Sequence, residues 1–543
     1  MSSTSSAPVA PALSWRPGPQ LPAFSGAALL SSAQQVRASM AVIRRSDDGA
    51  VGIGIDGHLS SAVPSKAGFD LIGQLPPLYP EWLGDRGFCE AHRLRFPYVA
   101  GAMANGIASV AMVEAIAEQG GLAFFGAAGL SAARVEASIV ELNARLQRSG
   151  KSWGVNLIHS PSEPALELAL AEMFLRHGVR NVEASAYMAL TPAIVYYAAK
   201  GLHTDPSGRI LRLNRVIAKV SREEVARRFL LPPPLAMLDS LREQGRLSEL
   251  EIKLAAQISI AEDITVESDS GGHTDNRPLA ALLPSVAVLR EEIRRQQGYS
   301  MPIRIGAAGG LGTPSAVAAA FAMGAAYVQT GSVNQACVES GLHASGRAML
   351  AQAGMADVTM APAADMFEMG VDVQVLKRGS LFATRARKLY ELYRSFPSLA
   401  AIPAEEREKV ERTQLRASFD EAWASTREFW QQRDPAQVER AERDPKHQMA
   451  LVFRAYLGLS SRWAIDGIDA RSSDYQIWCG PAMGAFNRWV TGSFLEAPEQ
   501  RTVGQVMLNL MEGAAVVTRA QQLRSFGVAM PETGFDFRPR PLC

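Results

Sequence analysis

Four cysteines in 543 residues, none in a CxxC pair, leave no framework for disulfide stapling or a structural zinc site. Cys89, Cys337, Cys479 and Cys543 fit the reduced thiols of a cytoplasmic protein. Neither sign of charge dominates. Lys and Arg number 55 against 54 Asp and Glu, so no basic field points to nucleic acid as a partner. No apolar run approaches the roughly 20 residues of a membrane-spanning helix, so no membrane association is expected. The opening stretch has no charge before Arg16, several prolines and no basic start followed by an apolar block. It lacks the pattern of a signal peptide and predicts a disordered leader over residues 1–33. Aromatics are sparse at 7%, whereas 45 glycines accompany abundant alanine, which suits tight packing and close backbone approach to a ligand. The length allows about two to four folding units with sizeable cores.

Residues 34–94 are expected to form a small mixed or β extension. Within it, MAVIRRSDDGAVGIGIDGHL predicts a hairpin turning at Asp48-Gly49. A formal GxGxxG at Gly52, Gly54 and Gly57 lies in the same stretch. The next residues, HLSSAVPSKAGF, carry a proline and no helical period, so these read as hairpin glycines rather than a dinucleotide loop. From residue 95 to about 330 short apolar runs alternate with amphipathic stretches. The runs are PYVAGA, GLAFFG, WGVNLI, RNVEASA, RVIAKV, DITVES, IRIGAA and AYVQTG. Eight such units in an uninterrupted block predict an α/β fold, a (β/α)8 TIM barrel spanning 95–390. After 330 the strand signal fades, and residues 391–543 predict a C-terminal helical domain.

Barrel sites form at the C-terminal ends of the strands, so the residues just after each run carry the candidate chemistry. The seventh run ends in Gly309-Gly310 before a helix, and the eighth leads into Gly331-Ser332. Two such turns suit a phosphate, with packing glycines the alternative. The first run ends in Gly101, Ala102, Met103 and Ala104, small enough to pass beneath a flat ring. Asn156 offers a polar edge, and Lys219 a cation that would favour an anionic reduced flavin. Together these describe a site for flavin mononucleotide (FMN). After the sixth run, Gly271-Gly272-His273 puts an imidazole on a glycine-rich loop, where it can exchange a proton near neutral pH. The other seven histidines have no comparable setting. Lys377, Arg378, Arg385 and Arg387 are cationic candidates for a ligand phosphate, with surface ion pairs at least as good an alternative.

The order AGAMANGIAS, GVN, SGGH, AAGG and VQTGS resembles the superfamily of nitronate monooxygenases and FMN-dependent enoyl reductases. More narrowly, PPLYPEWLGD, VEASAYMALTP, DSGGHTDNRPL, MAPAADMFEMGV and DYQIWCGPAMGAFN are similar to the PfaD family of enoyl reductases. These serve polyunsaturated fatty acid and trans-acyltransferase polyketide synthases. The resemblance implies FMN over Gly101–Ala104, its ring near Asn156, Lys219 and Gly271. It puts the phosphate on Gly309, Gly310, Gly331 and Ser332, and His273 beside the reacting carbon. It implies NADPH as co-substrate and an acyl carrier protein bearing the 2-enoyl thioester. Whether His273 protonates carbon or holds the thioester oxygen stays open, as does assembly into a homo-oligomer. A nitronate monooxygenase activity and a non-catalytic docking subunit remain alternatives.

Overall fold

A computed structural model of the chain describes residues 13–60, 68–146, 149–161 and 163–543. It divides into two compact units, one of residues 1–83, 314–322 and 508–543, the other of residues 84–313 and 323–507.

In the first unit a five-stranded antiparallel sheet runs in the order Val51–Gly54, Met40–Arg45, Phe69–Leu75, Ser14–Arg16, His58–Ser60. The expected hairpin forms, with Gly49 at φ +72° and Asp48 Oδ1 accepting the Ala50 N–H at 3.0 Å. The GxGxxG glycines make room for side chains. A Cβ on Gly54 or Gly57 would come 2.4 or 2.1 Å from the Trp15 indole, and one on Gly52 2.3 Å from the Ala23 carbonyl oxygen. The expected disordered leader is corrected here. Residues 1–12 lie outside the described residues, but Ser14–Arg16 is a strand and Gly26–Ala33 a helix. The physical reason is burial: Trp15 fills the space above the glycines, and Leu29 and Ala33 join a core with Val42, Ile53, Ala520 and Leu523. Each buried Leu, Val or Ile contributes about 1.5–3 kcal/mol, which a Pro/Ser-rich composition does not reveal. Residues 508–543 share this core, so they do not group with 391–507 as the expected boundaries had it.

The second unit is built on a closed parallel barrel. Its strands, in chain order, are β1 (Tyr98–Ala100), β2 (Leu122–Phe125), β3 (Gly154–Ile158), β4 (Asn181–Ser185), β5 (Arg215–Val220), β6 (Asp263–Glu267), β7 (Arg304–Ala308) and β8 (Val328–Thr330). Each pairs with the next, and β8 closes onto β1. All eight expected runs are strands. Helix Val110–Gln119, between β1 and β2, shows how local sequence sets an element. Ser109 Oγ caps it by accepting the Met112 N–H at 3.1 Å, Val113, Ile116 and Ala117 are buried at helical spacing, and Gly120 ends it in the left-handed region.

The N-terminal end of the barrel is plugged by helix Arg86–His92. Phe88 stacks on Tyr327 with ring centroids 4.1 Å apart. His92 Nε2 reaches Asp263 Oδ2 at 2.8 Å and Nδ1 meets Asn181 Oδ1 at 3.1 Å. Arg304 grips the same Asp263 with two bonds of 2.6 and 3.0 Å. Burial raises the Asp263 pKa, but His92 and Arg304 outweigh it and hold the carboxyl at about 2.

Beyond β8 the faded strand signal is misleading. Val358–Pro362 and Asp372–Leu376 are strands, and with Gly272–His273 they make a three-stranded antiparallel sheet. Val373 and Val375 anchor it in a core with Phe367, Phe382 and Leu389, to which helix Pro445–Asp466 adds Val452 and Phe453. Helices Phe382–Ser395, Ala404–Val410, Phe419–Arg433 and Pro435–Arg443 precede that helix, as expected. Among the described residues no helix is long and apolar enough to cross a membrane.

Candidate functional site

The C-terminal mouth of the barrel gathers the sequence candidates on one rim. Gly101 follows β1 directly, and its N–H donates to the Thr330 carbonyl at 3.0 Å. It is glycine for a reason the sequence did not show. A Cβ there would stand 2.4 Å from Gln329 Nε2. Gln329 donates at 2.6 Å to Glu183 Oε1, and Glu183 Oε2 accepts the Ala102 N–H at 3.1 Å. The segment Gly101–Ala104 is thus tied downward to a polar barrel interior. Met103 and Ala104 close the following turn by accepting the Ala108 and Ile107 N–H groups at 3.2 and 3.1 Å. Asn156 Oδ1 is also engaged, accepting the N–H groups of Ala127 and Ala128 after β2 at 2.8 and 3.3 Å. Its amide nitrogen is the group it can offer a ligand.

Lys219 does not stand as the lone cation the sequence suggested. Its Nζ lies 3.0 Å from Glu267 Oε1, which also accepts from the Ser270 hydroxyl at 3.1 Å. Burial lowers the Lys219 pKa, but Glu267 and Glu183 more than compensate and hold it above the usual ammonium value. Neither glutamate was singled out from sequence. Glu183 is a lone acid in its run and Glu267 ends one that begins with Asp263, and both read as ordinary strand positions.

The loop after β6 brings Gly271, Gly272 and His273 over the rim. Gly272 has φ +83°, and the pair Gly272–His273 bonds edge to edge with Asp372–Leu376. A Cβ on Gly271 would come 2.7 Å from the Cys479 backbone nitrogen. His273 Nε2 lies 3.3 Å from Asp365 Oδ1, within ion-pair distance but out of line for a hydrogen bond. Burial pulls the imidazole pKa down, Asp365 pulls it up, and the net shift is upward. His273 is half-buried.

The turns after β7 and β8 are open where a ligand would need them open. Gly309 (φ +84°) packs under Ser268, whereas Gly310 (φ +71°) and Gly331 have nothing within 4 Å of a notional Cβ. Ser332 Oγ accepts the Gly480 N–H at 3.0 Å, leaving its hydroxyl proton to donate. Segment Trp478–Gly480 therefore runs from the sheet, where Trp478 bridges to Val375, past Gly271 to Ser332. No sequence signal assigned it to the rim, because its partners lie more than 100 positions away. The candidate set fits a flat ring with a phosphate. Two open glycine positions, a free hydroxyl proton and a free carboxamide nitrogen border one mouth.

Three of the four cationic candidates are already committed to ion pairs. Arg385 is bound to buried Asp474, Arg387 reaches Asp372 and the Met360 carbonyl, and Arg378 pairs with Asp357. A second histidine, His159, follows β3, but its ring is turned away from the mouth. It stacks on Tyr187 and faces Glu167 Oε2 at 3.5 Å, and that carboxylate also accepts from Tyr187 OH, Thr191 Oγ1 and the Ser160 N–H. The neighbouring Val155 and Leu157 are fully buried, and the period of two aims His159 to their side, toward the helix layer.

The family model described as nitronate monooxygenase matches residues 88–390, more than half of the chain. One described as acyl-carrier-protein S-malonyltransferase, inserted helical domain, matches residues 396–475. The chain is 45% identical over 450 residues to a polyunsaturated fatty acid synthase subunit of Thraustochytrium sp., covering 82% of this chain and 30% of that protein. It is 41% identical over 437 residues to the polyketide biosynthesis protein PksE of Bacillus subtilis, covering 80% of this chain and 56% of PksE. The chain thus spans well under two thirds of the length of these curated relatives. Among solved structures, the enoyl reductase domain of MlnA from the macrolactin biosynthesis cluster of Bacillus amyloliquefaciens is 38% identical with a TM-score of 0.77. That match covers 82% of this chain and 98% of the MlnA domain. The chain belongs to the nitronate monooxygenase superfamily and, within it, to the PfaD family.

Proposed function

We propose that the chain is an FMN-dependent enoyl reductase, reducing a 2-enoyl thioester on an acyl carrier protein with NADPH in polyketide or polyunsaturated fatty acid synthesis. The observation that carries this reading is the likeness to the MlnA enoyl reductase domain, which extends over nearly all of that domain. A helical segment like that inserted in an acyl-carrier-protein transferase is consistent with a carrier-borne substrate. Balanced charge and four free thiols accord with a cytoplasmic enzyme.

When bound, FMN would supply the hydride that reaches Cβ of the enoyl group, with electrons drawn from NADPH. The chain's residues do the rest. Gly309, Gly310, Gly331 and Ser332 hold the phosphate through open backbone and the Ser332 hydroxyl. Gly101, Ala102, Met103 and Ala104 form the floor, with the Asn156 amide, Lys219 and Gly271 at the ring edge. His273, kept protonated to higher pH by Asp365, donates to the thioester side, where negative charge develops on the carbonyl oxygen.

The test is anaerobic. NADPH should bleach the protein-bound flavin, and a crotonyl thioester on a carrier protein should restore its colour. The match to the nitronate monooxygenase family favours a second reading, in which oxygen and a nitronate are the reactants. Flavin that is reoxidised by oxygen but not by the enoyl thioester would replace the first reading with the second.

A further inference from the structure

Along β4 the polar Asn181, Glu183 and Ser185 alternate with Val182 and Ala184, so the period of two aims the polar set into the barrel. Glu183 is fully buried. Its bond to Gln329 joins β4 to β8, four strands apart on the closed ring, so it crosses the barrel interior. Its other oxygen accepts the Ala102 N–H at 3.1 Å and faces the Ser185 hydroxyl at 3.4 Å. All three contacts donate to the carboxylate, an arrangement that suits its ionised form. Burial raises the Glu183 pKa against the pull of nearby Lys219. Lys219 itself is bound to Glu267. Beneath Gly101–Ala104 the mouth therefore sets one cation against two carboxylates.

We propose that Glu183 is a positioning residue of the flavin site: it pins the floor peptide at Ala102, and its charge makes the field under the ring net negative. It opposes the formation of an anionic reduced ring that Lys219 alone would favour. The inference rests on the reading that a flavin ring lies over Gly101–Ala104.

The experiment measures flavin midpoint potential and FMN affinity in Glu183→Gln and Glu183→Asp beside the wild type. Glu183→Gln removes the charge at constant shape, and the potential should shift positive. Glu183→Asp keeps the charge but retracts it by one methylene, so it cannot reach both Ala102 and Gln329. Its potential should stay near wild type, while FMN binding to the apo-protein should weaken by about tenfold. An unmoved or more negative potential in Glu183→Gln overturns the proposal. Should that variant not fold, wild-type FMN affinity in Glu183→Asp overturns it. A wild-type protein that binds no FMN defeats the proposed function instead, so the two failures are distinguishable.

Discussion

His273 and Lys219 are both titratable groups at one barrel mouth, yet they are held differently. Lys219 is fixed by a 3.0 Å bond to Glu267, whereas His273 faces Asp365 through a buried Nε2, off the bonding line. With Nε2 committed to Asp365, Nδ1 is the ring nitrogen left to meet a substrate. Replacing His273 with alanine should leave flavin content and bleaching by NADPH intact, because the glycine turns are untouched. Reoxidation by the enoyl thioester should slow by about 10²–10⁴, measured by stopped flow. Equal slowing of both half-reactions would make His273 a flavin-positioning group instead. The raised pKa adds a pH test with a definite sign. Donor capacity persists below the raised value and is lost as pH rises through it, so reoxidation should fall on the alkaline side. Asp365→Asn should move that fall to lower pH.

At the scale of elements, the turn after β7 and the sheet that carries His273 make separate predictions. Gly310 sits at φ +71° with open space above it. Gly310→Asp places a carboxylate where a phosphate would lie, and the purified variant should be colourless. Full FMN occupancy in that variant would move the phosphate elsewhere. The His273 sheet rests on a core in which Phe453 packs edge-on against Phe367 and Phe419. Phe453→Ala should cost about 3–5 kcal/mol by denaturant titration and slow the thioester half-reaction more than the NADPH one. Legibility in the sequence divides along the same lines. The eight barrel strands and the glycine turns announce themselves, because each needs only a local apolar run or a local Gly pair. The sheet of Gly272–His273, Asp372–Leu376 and Val358–Pro362, and the Trp478–Gly480 segment beside it, do not. Gly272–His273 and Trp478–Gly480 meet partners about 100 to 200 positions away, whereas Val358–Pro362 and Asp372–Leu376 form a local hairpin of five-residue strands, too short for a clear periodic signal. Gly101 was legible as a small residue but not in its cause, since Gln329 lies more than 200 positions away. Glu183 was missed because a lone acid inside NVEAS looks like a strand's solvent face until the barrel closes around it.

For the whole molecule, the barrel separates its two ends by chemistry. The C-terminal rim keeps glycines and half-open polar groups, whereas the N-terminal end buries the Asp263–Arg304 ion pair with His92 bonded to the same carboxyl. Conserving charge in so dry a place is a stability device with a cost, because each partner is stranded if another is lost. Asp263→Asn should therefore destabilise the barrel by about 3–5 kcal/mol, with no direct effect on the rim. The same carboxyl fixes an acid limit. Its pKa falls from 3.8 to about 2 on folding, so its contribution is complete above pH 3.8 and is lost as pH drops through about 2. That contribution amounts to about 2 kcal/mol. Unfolding free energy measured between pH 5 and pH 2 should fall by roughly that amount more in the wild type than in Asp263→Asn. Parallel pH profiles would mean that the network is held by packing around Phe88 and Tyr327, and that its charges add nothing to the fold.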